Sequence, residues 1–194
     1  MLGFRDANIY PLKAPNLKKA RALAIGHTRS GKAVVYVPSN PLGTAQGQIL
    51  AFDLKKIGIT ADVHALPVPV LFQKEATVGE PFDIGWVGWG IAGERDPGAF
   101  LDGLFDGRTI AGSGGVTSDW SYFNSAHYNG LFDRASRLTG GARYRAYGNL
   151  DVDISRNAAP AIPFAYDNTM NLVSSRAGCL VFNPYLDLAA ACLK

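Results

Sequence analysis

The feature that most constrains the fold is a change of hydrophobic period in the first half of the chain. The run AVVYV at 33–37 is continuously apolar and rich in β-branched residues, which is typical of a strand covered on both faces in a parallel sheet. A helical stripe of apolar residues follows over 50–57 and ends at Gly58, with two lysines in its last turn. Residues 59–65 then alternate between apolar and polar side chains, which indicates a half-buried strand.

The alternation of helices and strands continues beyond this point. A helix is predicted around 70–78 and ends at Gly79, and a third strand is predicted over 82–89. Connections of this length form right-handed crossovers between parallel strands. We therefore predict an α/β fold with a mainly parallel βαβαβ sheet flanked by helices, and a ligand site beyond the carboxyl ends of its strands.

The remaining elements follow from the same reasoning. Helices are predicted at 16–25, 128–138 and 147–154, with the last two packed antiparallel, and short strands at 161–167 and 170–174. Asp96 is expected to cap a further helix that begins at Pro97. Residues 107–121 are rich in Gly, Ser and Thr without periodicity, which predicts a long loop that is mobile or adjacent to a ligand.

Composition limits the size and the partners of the protein. The chain has 194 residues, of which 47% are hydrophobic and 18% charged, so residues 1–194 are expected to form a single globular unit with a sizeable core. The net charge of +3 is spread along the chain without a polybasic arm, so nucleic acid is not an expected partner. The sequence contains neither 18 consecutive apolar residues nor a secretory signal at its start.

The sequence does not match the motifs typical of nucleotide binding, metal binding or nucleophilic catalysis. The sequence GHTRSGKA at 26–33 lacks the final hydroxyl of a phosphate loop and lies between a helix and a strand, the reverse of the order that such a loop needs. His27, His64 and His127 are not spaced as metal ligands. We therefore expect neither a metal nor a cofactor.

The most informative segment is FDIGWVGWGIAGERDP at 82–97, where two tryptophans at a strand end precede a glycine-containing loop with acidic residues. Large rings with a polar edge suit the wall of a ligand site. In an extended strand Trp86 and Trp89 point to opposite faces, so at most one is expected to line a site while the other fills the core. Core packing is the competing interpretation for each ring.

Two cysteines lie near the C-terminus. Cys179 and Cys192 either form a short-loop disulfide, which persists in an oxidising compartment, or remain reduced and buried. The residues alone leave both alternatives open.

A series of motifs resembles the extracellular solute-binding proteins of family 5, the dipeptide, oligopeptide and nickel binders that serve ABC importers. The motifs are KARALA at 19–24, LKKIGI at 54–59, FDIGWVGW at 82–89, DP at 96–97, the aromatic-Asn element at 122–125, the Arg-Tyr helix at 143–150 and the Pro-flanked strand at 159–164. The resemblance extends from about Pro11 to Asp187.

The resemblance implies that the chain is one lobe, the C-terminal one, of a type II periplasmic-binding-protein-like fold. It implies a missing N-terminal lobe and a lipoprotein signal ahead of it, hence an extracytoplasmic, lipid-anchored protein that works with ABC transporter permease subunits. The ligand would be a peptide or another small solute, captured without catalysis. Export also favours the disulfide between Cys179 and Cys192.

The expected ligand-binding residues are Trp86, Trp89, Glu94 and Asp96. Trp89 would wall the ligand, Glu94 would pair with a cationic group such as a peptide amino terminus, and Asp96 would hold the loop by capping the next helix. Trp86 stands where some oligopeptide binders of the family carry a basic residue.

Two alternatives from other classes remain open at the sequence level. The first is a small α/β enzyme that uses Glu94 and Asp96 as general acid or base. The second is an interaction domain whose glycine-rich loop contacts a partner protein.

Overall fold

A three-stranded parallel sheet organises the first half of the chain. The computed structural model describes residues 7–10, 13–28, 30–90, 96–165, 171–182 and 186–194. The strands are β1 (Lys32–Pro38), β2 (Thr60–Leu66) and β3 (Ile84–Gly85), and their order β2-β1-β3 places β1 in the centre. Both neighbours of β1 run parallel to it. The predicted α/β class and the parallel βαβαβ order are confirmed.

The third strand is much shorter than the predicted 82–89. Only Ile84 and Gly85 pair with β1, opposite Val35 and Tyr36. The next backbone N–H, that of Trp86, donates to a side-chain carboxyl oxygen of Glu75 and not to β1. A side chain therefore replaces the ladder where the sequence pattern would have continued it.

Each predicted helix is present, although the second and the last begin well before the predicted residues 50 and 147. The helices are α1 (Leu17–Ala24), α2 (Pro41–Lys56), α3 (Val68–Ala76), α4 (Pro97–Phe105), α5 (Ala126–Ser136) and α6 (Gly140–Asp153), with a 3₁₀ turn at Gly107–Thr109 and a π-helical turn at Ile154–Ala158. The α2 helix starts earlier than its apolar stripe, because Asn40 Oδ1 accepts a hydrogen bond from Gly43 N at 2.8 Å and Pro41 occupies the first turn. Among the described residues, no helix is long and apolar enough to cross a bilayer.

Helix α2 packs on the sheet through two glycines. Gly43 and Gly47 are its buried residues, while Leu50 and Leu54 are half-buried. A Cβ atom at Gly47 would lie 2.9 Å from Val63 Cγ1, closer than side chains normally approach. The absence of a side chain at Gly47 thus sets the distance between helix and sheet.

A second core lies between the later helices. Buried side chains of α4, α5, α6 and the π-helical turn form one cluster: Leu101, Tyr128, Phe132, Ala135, Tyr147, Leu150 and Ile154. Helices α5 and α6 pack against each other, and α4 packs against α6. The helical half thus supports the loops that leave the sheet.

The predicted loop at 107–121 is tied to the end of α3. Val78 N donates to Gly115 O, Gly114 N donates to Val78 O, and Thr117 N donates to Ala76 O, each at 2.9 Å. Thr117 and Asp119 are buried. The later part of the loop is therefore held beside the sheet.

The strands predicted at 161–167 and 170–174 are wrong wherever these residues are described. Residues 161–165 and 171–174 are exposed and form no strand, and 166–170 lie outside the described residues. Short antiparallel pairs occur further on, between β4 (Ala177–Gly178) and β7 (Cys192–Leu193), and between β5 (Val181–Phe182) and β6 (Leu186–Asp187). Residues with a high strand propensity form a strand only where a neighbouring segment pairs with them through backbone hydrogen bonds.

A disulfide joins the two cysteines of this C-terminal segment. Cys179 and Cys192 are bonded, with their Cα atoms 5.3 Å apart. Since Cys192 belongs to β7 and Cys179 directly follows β4, the bond closes the same antiparallel pair that the backbone forms.

Candidate functional site

The candidate site begins where the chain leaves the carboxyl end of β3. Trp86 N donates to Glu75 Oε1 at 2.8 Å, and Glu75 belongs to α3. A Cβ atom at Gly85 would stand 2.5 Å from the same carboxyl oxygen, so only glycine allows this approach. Glu75 therefore fixes the first residue after the strand.

Glu75 is almost completely buried, with 1% of its surface exposed. Burial raises the pKa of its carboxyl group to about 8, and the hydrogen bond from Trp86 opposes this shift. Its second oxygen, Oε2, has no hydrogen-bond partner among the described residues. At neutral pH Glu75 is mainly protonated, so it serves as a structural anchor and not as a counter-charge for a cationic ligand.

An aromatic cluster of Phe72, Trp89 and Trp120 lies beside this anchor. Trp120 stacks on Phe72 with the ring centroids 5.3 Å apart, and Trp89 meets Trp120 edge-on at 6.1 Å. Trp120 Nε1 donates to Thr117 O at 2.8 Å, which fixes the central ring. The three rings come from α3, the segment after β3, and the loop that precedes α5.

Neither tryptophan of the 82–97 segment is fully buried. Trp86 and Trp89 are both partly exposed, while the indole nitrogen of each is buried without an acceptor among the described residues. Trp89 belongs to the aromatic cluster, whereas the ring of Trp86 lies near Gly88. The prediction that one ring lines a site and the other fills the core stays a prediction.

A second group of aromatic side chains supports β1 and β3. Tyr36 stacks on Phe82 at 5.4 Å, and Phe82 contacts Tyr122 at 6.0 Å. The hydroxyl of Tyr36 donates to Glu80 Oε1 at 2.7 Å, and burial together with this bond raises the pKa of Tyr36 to about 12. Lys74 donates to the same Glu80 oxygen at 2.5 Å, and this bond lowers the pKa of Glu80.

Tyr122 connects the loop to the end of α3. Its hydroxyl group lies 2.8 Å from both Glu75 O and Thr77 O, and its backbone has a φ of +52°. The buried carboxylate of Asp119 accepts hydrogen bonds from Ser121 Oγ and Phe123 N, which stabilises this turn. Tyr122 and Asp119 thereby place Trp120 against Phe72.

Asp96 has the capping role expected for it. Its Oδ1 accepts a hydrogen bond from Gly98 N at 2.7 Å at the start of α4. Arg143 binds both carboxylate oxygens, with Nε–Oδ2 at 2.7 Å and Nη2–Oδ1 at 2.8 Å, and lowers the pKa of Asp96. Both oxygens are thus occupied within the protein. Glu94, the other predicted acidic residue, lies outside the described residues.

Sequence reasoning missed Phe72 and Trp120. Phe72 looked like one apolar position of a helix, and Trp120 fell at the end of a segment without periodicity. The available signal was the aromatic-rich stretch WSYFN at 120–124, which directly follows the glycine-rich loop. Its contact with α3 depends on the tertiary fold and has no signature in local spacing.

Two open cavities occur elsewhere on the surface. One of about 320 Å³ lies near the amino ends of the strands, between Lys32, Asp62 and Asp83. The other, of about 440 Å³, lies between α5 and α6. Neither is lined by the aromatic cluster. In the part of the chain that the structure describes, no three His, Cys, Asp or Glu side chains come together as a metal site.

Comparison with solved structures identifies proteins of similar fold. The chain is 26% identical to HbpA2 from Haemophilus parasuis, with a TM-score of 0.65, covering 95% of this chain and 38% of that one. It is 24% identical to a clavulanic acid biosynthesis oligopeptide binding protein, with a TM-score of 0.81, covering 98% of this chain and 36% of that one. No protein-family model matches the sequence, and no match was found among curated proteins.

A further similar structure was determined with a ligand. It is the ABC transporter-associated periplasmic binding protein DppA from Helicobacter pylori in complex with a peptide, 23% identical with a TM-score of 0.57, covering 78% of this chain and 30% of that one. The present chain thus spans well under half the length of each of these structures. The similarity expected from the motifs is confirmed at the level of the fold.

Proposed function

From the premise that this chain has the fold of the family 5 solute-binding proteins of ABC importers, we propose that it is a ligand-binding lobe. It captures a peptide or a similar small solute together with a second lobe and delivers it to the membrane transporter. The observation that carries this proposal is the aromatic cluster of Phe72, Trp89 and Trp120 beyond the carboxyl end of β3. Ligands of parallel α/β sheets gather at this edge.

The residues suggest how such a lobe would hold its ligand. Each ring of the cluster is partly exposed, and closure against another lobe would shield this apolar surface from water. Trp89 would wall the ligand, Trp86 would lie at the strand end, and Glu94 would pair with a cationic group of the ligand. The partners would be permease subunits of an ABC importer at an extracytoplasmic site, with a lipid anchor on the part of the protein that precedes this lobe.

The proposed role is non-catalytic. General acid–base chemistry needs a carboxyl group that can exchange a proton near neutral pH. Asp96 binds Arg143 through both oxygens and has a lowered pKa, which disfavours it as a proton donor. The enzyme alternative with Glu94 and Asp96 is therefore less well supported than binding.

The first test is peptide titration followed by tryptophan fluorescence. The chain is titrated with a mixture of di- to pentapeptides, and saturable quenching is expected. Trp89→Ala should weaken the apparent affinity by about tenfold, since a central aromatic contact contributes more than about 1 kcal/mol to binding. Phe52→Ala is the matched control, because Phe52 is an aromatic residue on the exposed face of α2 and its loss should leave the affinity unchanged.

Two results would contradict the proposal. Absence of saturable quenching with every peptide, in this chain and in a version joined to a second lobe, would exclude peptides as the ligand class. Hydrolysis of the added peptides by the purified chain would favour the enzyme alternative.

A further inference from the structure

Helix α4 forms the floor beneath the aromatic cluster. A Cβ atom at Gly103 would lie 3.6 Å from a ring carbon of Trp89, so the indole packs directly on the helix backbone. Ser118 Oγ donates to Gly103 O at 2.7 Å, which ties the loop that carries Trp120 to the same point. The position of α4 thus determines where both tryptophans lie.

Arg143 binds the residue that caps the amino end of α4. It forms the bidentate ion pair with Asp96, the residue that caps α4. Its Nη1 also donates to Ser136 O at 2.8 Å and to Ala135 O at 3.3 Å, at the carboxyl end of α5. One guanidinium group therefore joins the start of α4 to α5 and α6.

The surroundings of Arg143 leave little freedom for this arrangement. The guanidinium lies 4.7 Å from the ring centre of the fully buried Tyr147, whose hydroxyl donates to Asp102 Oδ2 at 2.9 Å. A Cβ atom at Gly98 would lie 2.9 Å from Tyr147 Oη and would also collide with Arg143. The first turn of α4 therefore sits in close contact with α6.

We propose that Arg143 is a positioning residue of the binding surface: it fixes α4 and thereby holds Trp89 against Trp120. This inference rests on the proposed function for its significance, but its geometry is independent of any ligand. The hydrogen bonds of the Arg143 side chain go to Asp96 and to α5 carbonyls. Arg143 acts through the helix and not through contact with a ligand.

The experiment uses 5-fluorotryptophan, because the chain contains three tryptophans and gives three ¹⁹F resonances. Assignment uses the single Trp→Phe variants. In Arg143→Gln the Trp89 resonance should shift toward that of the free amino acid and become more sensitive to exchange of H₂O for D₂O. Arg143→Lys, which keeps the charge but loses the bidentate geometry, should restore the spectrum only in part.

Two further variants separate positioning from a general loss of structure. Asp96→Asn retains a good helix cap but removes the ion pair, so it should reproduce the Trp89 shift even if Arg143→Gln folds poorly. Arg137→Gln is the matched control: Arg137 pairs with Asp133 on the exposed side of α5 and should leave all three resonances unchanged. Far-UV circular dichroism reports the helix content of each variant.

The outcomes distinguish this inference from the proposed function. An unchanged Trp89 resonance in folded Arg143→Gln or Asp96→Asn would overturn the positioning role. The same shift in Arg137→Gln would overturn it as well, since the effect would then be unspecific. A shifted resonance in a chain that binds no peptide would support the positioning role while contradicting the proposed function.

Discussion

At the scale of single residues, the buried carboxyl group of Glu75, which binds Trp86 N, makes the stability of the fold depend on pH. Burial raises its pKa from 4.5 to about 8, so the folded chain binds this proton more tightly than the unfolded chain does. The stability that Glu75 contributes is therefore complete below pH 4.5 and is lost as the pH rises toward about 8. The slope is at most about 1.4 kcal/mol per pH unit for one proton.

Glu75→Gln should remove this pH dependence while an amide oxygen still accepts the hydrogen bond from Trp86. Relative to the unmodified chain, we expect similar stability at pH 5 and higher stability for the variant at pH 9, measured by urea unfolding. Glu80→Gln is the control, because the pKa of Glu80 is lowered by Lys74 and Tyr36. Its loss should cost about the same stability at pH 5 and at pH 9, because a carboxyl group with a lowered pKa is ionised at both, and the cost should fall only below pH 4.5. Parallel stability profiles for Glu75→Gln and the unmodified chain would contradict this account.

At the scale of secondary-structure elements, the contact between α2 and the sheet depends on Gly47. Gly47→Ala would bring a methyl group within 2.9 Å of Val63 and 3.3 Å of Val37, and we expect a loss of about 1–3 kcal/mol from overpacking. Gly148→Ala is the matched control, since nothing lies within 4 Å of its added Cβ in α6. There the same substitution should stabilise the chain by about 0.4–1 kcal/mol. Thermal denaturation measures both, and equal effects would contradict the proposed packing.

The elements also show how far the sequence predicts the structure. Periodicity located β2 and the main helices, because each buries one face in a regular pattern, whereas a continuous apolar run located β1, which is buried on both faces. The sequence pattern predicted too long a β3, because the carboxyl group of Glu75 that binds Trp86 N comes from another element. Within the site, capping by Asp96 was predictable from the local sequence, whereas its bond to Arg143 joins residues 47 positions apart. Such long-range partners leave no periodic signal.

At the scale of the whole molecule, we expect the C-terminal segment to unfold separately from the sheet and the helical core. The main core cluster contains no residue of the described parts of 171–194, and the disulfide between Cys179 and Cys192 closes a short pair of strands there. A disulfide with this sequence separation of 13 stabilises mainly by restricting the segment that it encloses. Its loss should therefore act locally and leave the candidate site intact.

Reduction by dithiothreitol, or the double variant Cys179→Ser and Cys192→Ser, tests this separation by hydrogen–deuterium exchange. We expect amide protection to fall in β4 and β7 while β1 and α5 keep theirs, because opening a local unit costs less than global unfolding. Gly112→Ala serves as a control for handling of the chain, since nothing lies within 4 Å of its added Cβ and it is remote in sequence from the disulfide. A uniform loss of protection after reduction would mean that the disulfide also stabilises the sheet and the helical core. The candidate site would then depend on the disulfide.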